Sequence, residues 1–212
     1  MYFTEIFVIL QISHSLNPIE MKAKIIFFLA LLLPLTMFAQ NKHLSFKGVP
    51  INGTLRQFTT KLVQKGFSKV KQEQGVALLK GEFAGYKACD IIVLSNGPQK
   101  TVYSVGVFFP GCNDWESLKI IYNSIQEKLT TNYGEPSVVI EEFKDGIEPY
   151  SNYDKFLQVI LKQCTFKTLY TTEKGDISLS LWPLENMNCC VFLIYTDKIN
   201  EQKANSSAID DL

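Results

Sequence analysis

The sequence predicts an α+β fold: a mostly antiparallel sheet with about three helices packed on one of its faces. Three observations carry that expectation. Residues 76–109 hold three apolar, β-branched and aromatic runs, separated by Ala84-Gly85 and by Ser95-Asn96-Gly97-Pro98, which is the pattern of an antiparallel meander. Residues 176–182 and 189–196 read as two further strands, the first alternating Ile177, Leu179 and Leu181 against Ser178 and Ser180. Three other segments carry apolar residues at helical spacing, and each opens on a capping residue.

Taken in order, residues 44–51 read as a short first strand limited by Gly48 and Pro50, and Asn52-Gly53 as a turn. Thr54 with Gln57 forms a capping box, opening a helix whose stripe is Leu55, Phe58, Leu62 and Val63. Lys65-Gly66 closes it with a C-cap glycine. Residues 67–71 have the weaker pattern of a strand. In the meander, Phe83, Cys89, Ile91 and Val93 are expected on the core side, with Tyr103, Val105, Val107 and Phe109 beside them. Asn113 with Glu116 opens a second helix, its stripe Leu118, Tyr122, Ile125 and Leu129, stopped by Tyr133-Gly134-Glu135-Pro136. Residues 137–143 form a strand before a Lys144-Asp145-Gly146 turn. Ser151 with Asp154 opens a third helix, with Tyr153, Leu157, Ile160 and Leu161 as its stripe. Residues 165–171 precede the last two strands, whose core side carries Val191, Leu193 and Tyr195. Helix followed by several strands thus occurs twice, which suggests two weakly related halves.

The chain also carries an address. Met21-Lys22-Ala23-Lys24 is basic, residues 25–38 are almost wholly apolar, and Ala39-Gln40 offers a cleavage point, the layout of a secretory signal peptide over 21–39. Residues 1–20 precede it as an over-extended N-terminus. The apolar run is shorter than the ~20 residues that span a bilayer, so no membrane span is expected after signal cleavage. What remains is one α+β domain over 40–199 and a flexible polar tail over 200–212. The expected location is exported, periplasmic or secreted.

Composition excludes several chemistries. With 21 basic and 21 acidic residues the formal net charge is zero, leaving no electrostatic footprint for nucleic acid. His43 is the one histidine after the cleavage point and Arg56 the one arginine in the chain. Ser-His-Asp and Cys-His catalysis, multi-histidine metal sites and arginine clusters for phosphate are therefore not expected, and neither is a cofactor. No catalytic residue and no metal ligand is assigned. Export permits disulfides, and a bridge from Cys89 to Cys189 or Cys190 is the candidate. The second sheet face mixes Ser104, Gly106, Ser178 and Ser180 with Phe108, Trp182, Phe192 and Ile194, which makes the last four the candidate partner-binding residues. The expected function is an exported, non-enzymatic binding or interaction module whose partner is another envelope protein or the chain itself. The alternatives are a carboxylate-dependent hydrolase of the cell envelope, with Glu141-Glu142 its most visible acids, and a structural, self-associating envelope protein.

The run Phe46-Lys47-Gly48-Val49-Pro50-Ile51-Asn52-Gly53-Thr54, with Gly66-Phe67, Gly81-Glu82-Phe83-Ala84-Gly85 and Tyr133-Gly134-Glu135-Pro136, resembles small uncharacterised exported proteins of the Bacteroidota type. The resemblance spans most of residues 40–199 and implies no particular activity. In element order alone, the doubled plan is similar to β-lactamase-inhibitor-protein-like modules and to outer-membrane assembly lipoproteins, though the lipid-attachment cysteine of the latter is missing.

Overall fold

Eight strands form one sheet, in the spatial order 68–73, 76–83, 86–96, 101–108, 189–197, 175–183, 164–172 and 138–143, and every pairing in it is antiparallel. The computed structural model describes residues 42–96 and 100–210, with side chains described through 206. The expected N-terminal extension, the signal peptide and the Gly97-Pro98 end of one turn lie outside the described residues.

The first element differs from the expected single strand. Lys47 and Gly48 both have positive φ, 50° and 74°, the geometry of a two-residue hairpin turn. The turn folds residues 44–51 into β1 (Ser45–Phe46) and β2 (Val49–Pro50). Leu44, Phe46, Val49 and Ile51 all point into the core as a result. Phe46 stacks on Phe83 at 5.0 Å and meets the edge of Tyr195 at 5.6 Å, so this small hairpin packs into the core.

Helix α1 (Leu55–Gln64) begins as the capping box requires: Thr54 Oγ1 accepts from Gln57 N, and Gln57 Oε1 accepts from Thr54 N. It buries Leu55, Phe58 and Leu62, while Val63, expected in the same stripe, is 46% exposed. Strands β3 (Ser68–Glu73), β4 (Val76–Phe83), β5 (Tyr86–Asn96) and β6 (Thr101–Phe108) then form the first antiparallel unit. Gly81 is required here, because a Cβ at that position would sit 2.4 Å from the Phe67 ring.

Helix α2 (Trp115–Tyr133) starts one residue later than expected, because Asp114 rather than Asn113 accepts the Ser117 N–H. Its expected stripe of Leu118, Tyr122, Ile125 and Leu129 is buried, with Trp115 added. A polar row fastens it to the sheet. Thr168, wholly buried in β8 (Cys164–Thr172), lies 2.8 Å from the Tyr122 hydroxyl and 3.1 Å from Gln126 Nε2, and Tyr170 donates to the Gln126 carbonyl. Burial, opposed by the Thr168 hydrogen bond, pushes the Tyr122 hydroxyl up to about 12.

The second unit comprises β7 (Val138–Phe143), β8, β9 (Gly175–Pro183) and β10 (Cys189–Asp197), with a 3-10 turn (Lys144–Gly146) and α3 (Asn152–Ile160) between β7 and β8. Ser151 caps α3 as expected. The stripe is rotated from expectation: Phe156 and Val159 are buried, whereas Tyr153 and Leu161 are 69% and 54% exposed. The two units meet at β6 and β10, the last strand of each. α1 precedes the first unit and α2 the second, so the plan is doubled in topology, with α3 as an insertion.

Two further corrections concern burial. Tyr103 is not a core residue: a bulge between Leu94 and Ser95 carries the pairing from Ser104 directly to Val102. Val102 therefore takes the core side with no exposure, and Tyr103 is half-buried. The polar C-terminal segment is not a loose tail over its described part. It forms α4 (Lys198–Asp210), with Asn200 and Ala204 buried. Asp197 opens that helix. Wholly buried, it accepts from Leu44 N at 2.8 Å, Asn200 N at 3.0 Å and His43 Nδ1 at 3.0 Å. Asn200 in turn donates to the carbonyls of Ile51 and Val102. N-terminal hairpin, central strand and last helix are thereby tied through two polar side chains. The fold is α+β, a large antiparallel sheet with four described α-helices.

Candidate functional site: the second face of the sheet

Alternation along the strands divides the sheet into two unlike faces. One face carries Leu79, Ile91, Val93, Val105, Val107 and Leu193, and these join α1, α2 and α3 in a single core cluster. On the other face, direct cross-strand partners form a row running Leu78, Ile92, Gly106, Ile194, Ser178, Leu169 and Val138. A second row places Asp90, Phe108, Phe192, Ser180, Lys167 and Ile140 side by side. None of these side chains belongs to the core cluster.

The four residues singled out in the sequence come together here. Phe108 and Phe192 are direct partners on β6 and β10, and their rings stack at 4.3 Å and 25°. Trp182, on β9, lies against Phe192 at 5.8 Å and is 45% exposed. Ile194 is two residues along from Phe192 on the same face and sits opposite Gly106. Glycine at 106 lets the neighbours lie flat: a Cβ there would come within 2.8 Å of both Ile92 Cγ2 and Phe192 Cε2. The centre of the face is thus a low apolar surface with stacked rings at one end. Leu78 and Val138, each 39% exposed, extend it toward both edges. Its rim is charged, with Lys80 paired to Asp90 at 3.4 Å and the Lys162 ammonium 5.8 Å from the centre of the Trp182 ring.

Comparison with known proteins finds no match among family models, curated proteins or solved structures. The residues alone therefore carry the functional reading.

The acids of the alternative reading do not form a pair on one strand face. Glu141 lies opposite Phe166 and Glu142 opposite Thr165, so their side chains alternate across the sheet. Both border a cleft of about 410 Å³ walled by Trp115, Phe143 and Phe166, which also receives Glu148. There Glu141 is bonded to Lys119 and Glu148 to Lys155. His43 is held by Asp197, whose oxygens also serve two backbone N–H groups. That arrangement fastens residues 43 and 44 to the start of α4. Among the described residues, no group of three or more His, Cys, Asp or Glu side chains could hold a metal ion. No helix among them is long and apolar enough to cross a membrane.

The cysteines differ from expectation. All five are free thiols in this structure. Strand β6 lies between Cys89 on β5 and Cys189-Cys190 on β10. Two strand spacings put these backbones about 10 Å apart, beyond the ~7 Å a disulfide can bridge. Burial pushes the Cys89 thiol up to about 11 and those of Cys189 and Cys190 up to about 12.

Proposed function

We propose that the chain is an exported, non-enzymatic interaction module whose second sheet face receives another protein of the cell envelope. The observation that carries the reading is the stacked Phe108–Phe192 pair with half-exposed Trp182 beside it, on a face outside the core cluster. Large aromatic side chains held in place by strand pairing lose little freedom when covered, and they dominate the energetics of most protein interfaces. Glycine and serine between them leave room for a partner's side chains. Export rests on the basic-then-apolar segment at 21–40 of the sequence.

The test is a pair of alanine variants, Phe108→Ala and Trp182→Ala, used as bait against envelope extract beside the unmodified chain. Both should keep the melting profile of a folded domain and lose a protein that the unmodified chain retains. Identical captures from all three baits would overturn the reading. A second copy of the chain as the retained protein would instead support self-association, for which the row from Leu78 to Val138, apolar except at Ser178, is the favouring observation.

A further inference from the structure

We infer that Cys112 and Cys189 are a redox-active pair that closes into a disulfide, taking a disulfide compound as its oxidant. The pairing is outside the expected connectivity and is independent of the proposed partner. Cys112 sits in the connection between β6 and α2, and it bridges to Cys189, the first residue of β10, as a direct antiparallel partner. The two residues exchange both backbone bonds, Cys112 N to Cys189 O at 2.8 Å and Cys189 N to Cys112 O at 2.9 Å. A pair that exchanges both bonds has Cα atoms about 5.5 Å apart and side chains on the same face. That Cα spacing lies within the ~4.4–6.8 Å range of protein disulfides, while the Cβ atoms of a hydrogen-bonded pair stand about 5.5 Å apart against ~3.5–4.5 Å in a bridge, so closure draws the two residues together by about 1 Å. No other cysteine pair in the fold is joined by the backbone in this way among the described residues.

The environment sets the order of events. Cys112 is partly exposed, and its Sγ rests 3.8 Å from the Pro110 carbonyl; Cys189 is wholly buried. The Cys112 thiolate therefore meets the external disulfide first, breaks its S–S bond, releases one thiol and forms a mixed disulfide. The Cys189 thiolate then attacks the Cys112 sulfur and expels the second external thiol. Two protein thiols are oxidised, one external disulfide is reduced to two thiols, and the two protein protons end on those thiols. Burial raises both thiols above their ordinary value, so closure is slow at neutral pH and quickens as pH rises. Cys164 is the competitor: after burial itself, it raises the Cys189 thiol more than Cys112 does. Cys190 is adjacent in sequence but alternates to the opposite sheet face. Closure would pin the start of α2 to the first residue of β10, across one end of the core face.

The experiment uses the full chain, reduced, desalted and exposed to oxidised glutathione at mildly alkaline pH. Free thiols are then blocked with a maleimide, and the digest is mapped by mass spectrometry without reduction. The expected result is a cross-linked peptide pair joining Cys112 to Cys189, with Cys89, Cys164 and Cys190 carrying the maleimide. Cys190→Ser should retain the link, and Cys112→Ser and Cys189→Ser should each abolish it. Should a variant fail to fold, fragmentation of the unmodified cross-linked peptides still tells Cys189 from Cys190. A link from Cys189 to Cys164, a link from Cys112 to Cys190, or Cys112 left blocked after prolonged oxidation would each overturn the inference.

Discussion

Replacing Asp197 with alanine should be among the most costly polar substitutions in the molecule. The carboxylate has no exposure and accepts three hydrogen bonds, from Leu44 N, Asn200 N and the His43 ring. Hydrogen bonds to a charged acceptor contribute about 1.5–3 kcal/mol each, and a buried donor left without a partner costs about 1–3 kcal/mol. Leu44 N and Asn200 N are both bonded at buried positions, whereas His43 is partly exposed and can turn to water. The two backbone donors alone then set a loss of about 3–6 kcal/mol, a large share of the 5–15 kcal/mol typical of a domain. At roughly 2–4 °C per kcal/mol for a chain of this size, the melting midpoint should fall by on the order of 10 °C. Asp197→Asn keeps one acceptor oxygen and should fall between the two. The assay is chemical denaturation followed by circular dichroism, with hydrogen exchange at Leu44 and Asn200 as a local readout. A change within about 0.5 kcal/mol, the range of an ordinary surface substitution, would refute the role given to Asp197.

Ile125→Asp places an unpaired charge at a position 1% exposed in α2, and the chain should lose its cooperative unfolding transition. An unchanged melting curve would remove α2 from the core. Val102→Ala should cost about 2 kcal/mol and Tyr103→Ala markedly less, because the bulge gives the core position to Val102; the reverse order in urea unfolding would argue against that bulge. The reduced chain should also weaken in alkali. Cys89, Cys189 and Cys190 ionise in the unfolded chain near their ordinary 9.0, but hold their protons to about 11–12 when folded. Their contribution is complete below about pH 9 and is lost as pH rises toward the folded values, by about 1 kcal/mol each at about pH 10. A denaturation midpoint unchanged between about pH 8 and pH 10 would contradict it.

Much of the sheet could be read from the sequence because its signals are local. Alternation places Ile91, Val93, Val105 and Val107 on one face and Phe108, Phe192 and Ile194 on the other without reference to anything distant. The Thr54–Gln57 capping box is likewise complete within four residues. Misreadings fall where two local signals compete or where the partner is far along the chain. Asn113 and Asp114 are both capping residues, and only the fold chooses Asp114. In α3, Tyr153, Leu157 and Leu161 offer one apolar row and Phe156 with Val159 another, and packing selects the second. The bulge at Tyr103 exists only relative to β5. Asn200 and Asp197 read as ordinary polar residues because their partners, Ile51, Val102 and Leu44, are about 100–150 residues away. The Thr168 row beneath α2 and the Cys112–Cys189 pairing were hidden for the same reason. Of the candidate site, the four residues were legible; their extension through Leu78, Leu169 and Val138 needed the register.

Whether the second sheet face is where another protein sits can be read by site-specific photocrosslinking in the envelope of a producing cell. A photoreactive residue would replace Phe108 or Trp182 on that face, and Ile120, 66% exposed on α2, on the opposite side. Positions 108 and 182 should give the same adduct to a second protein, and position 120 none. Adducts of equal yield from all three positions, or none from the sheet face while position 120 reacts, would contradict it.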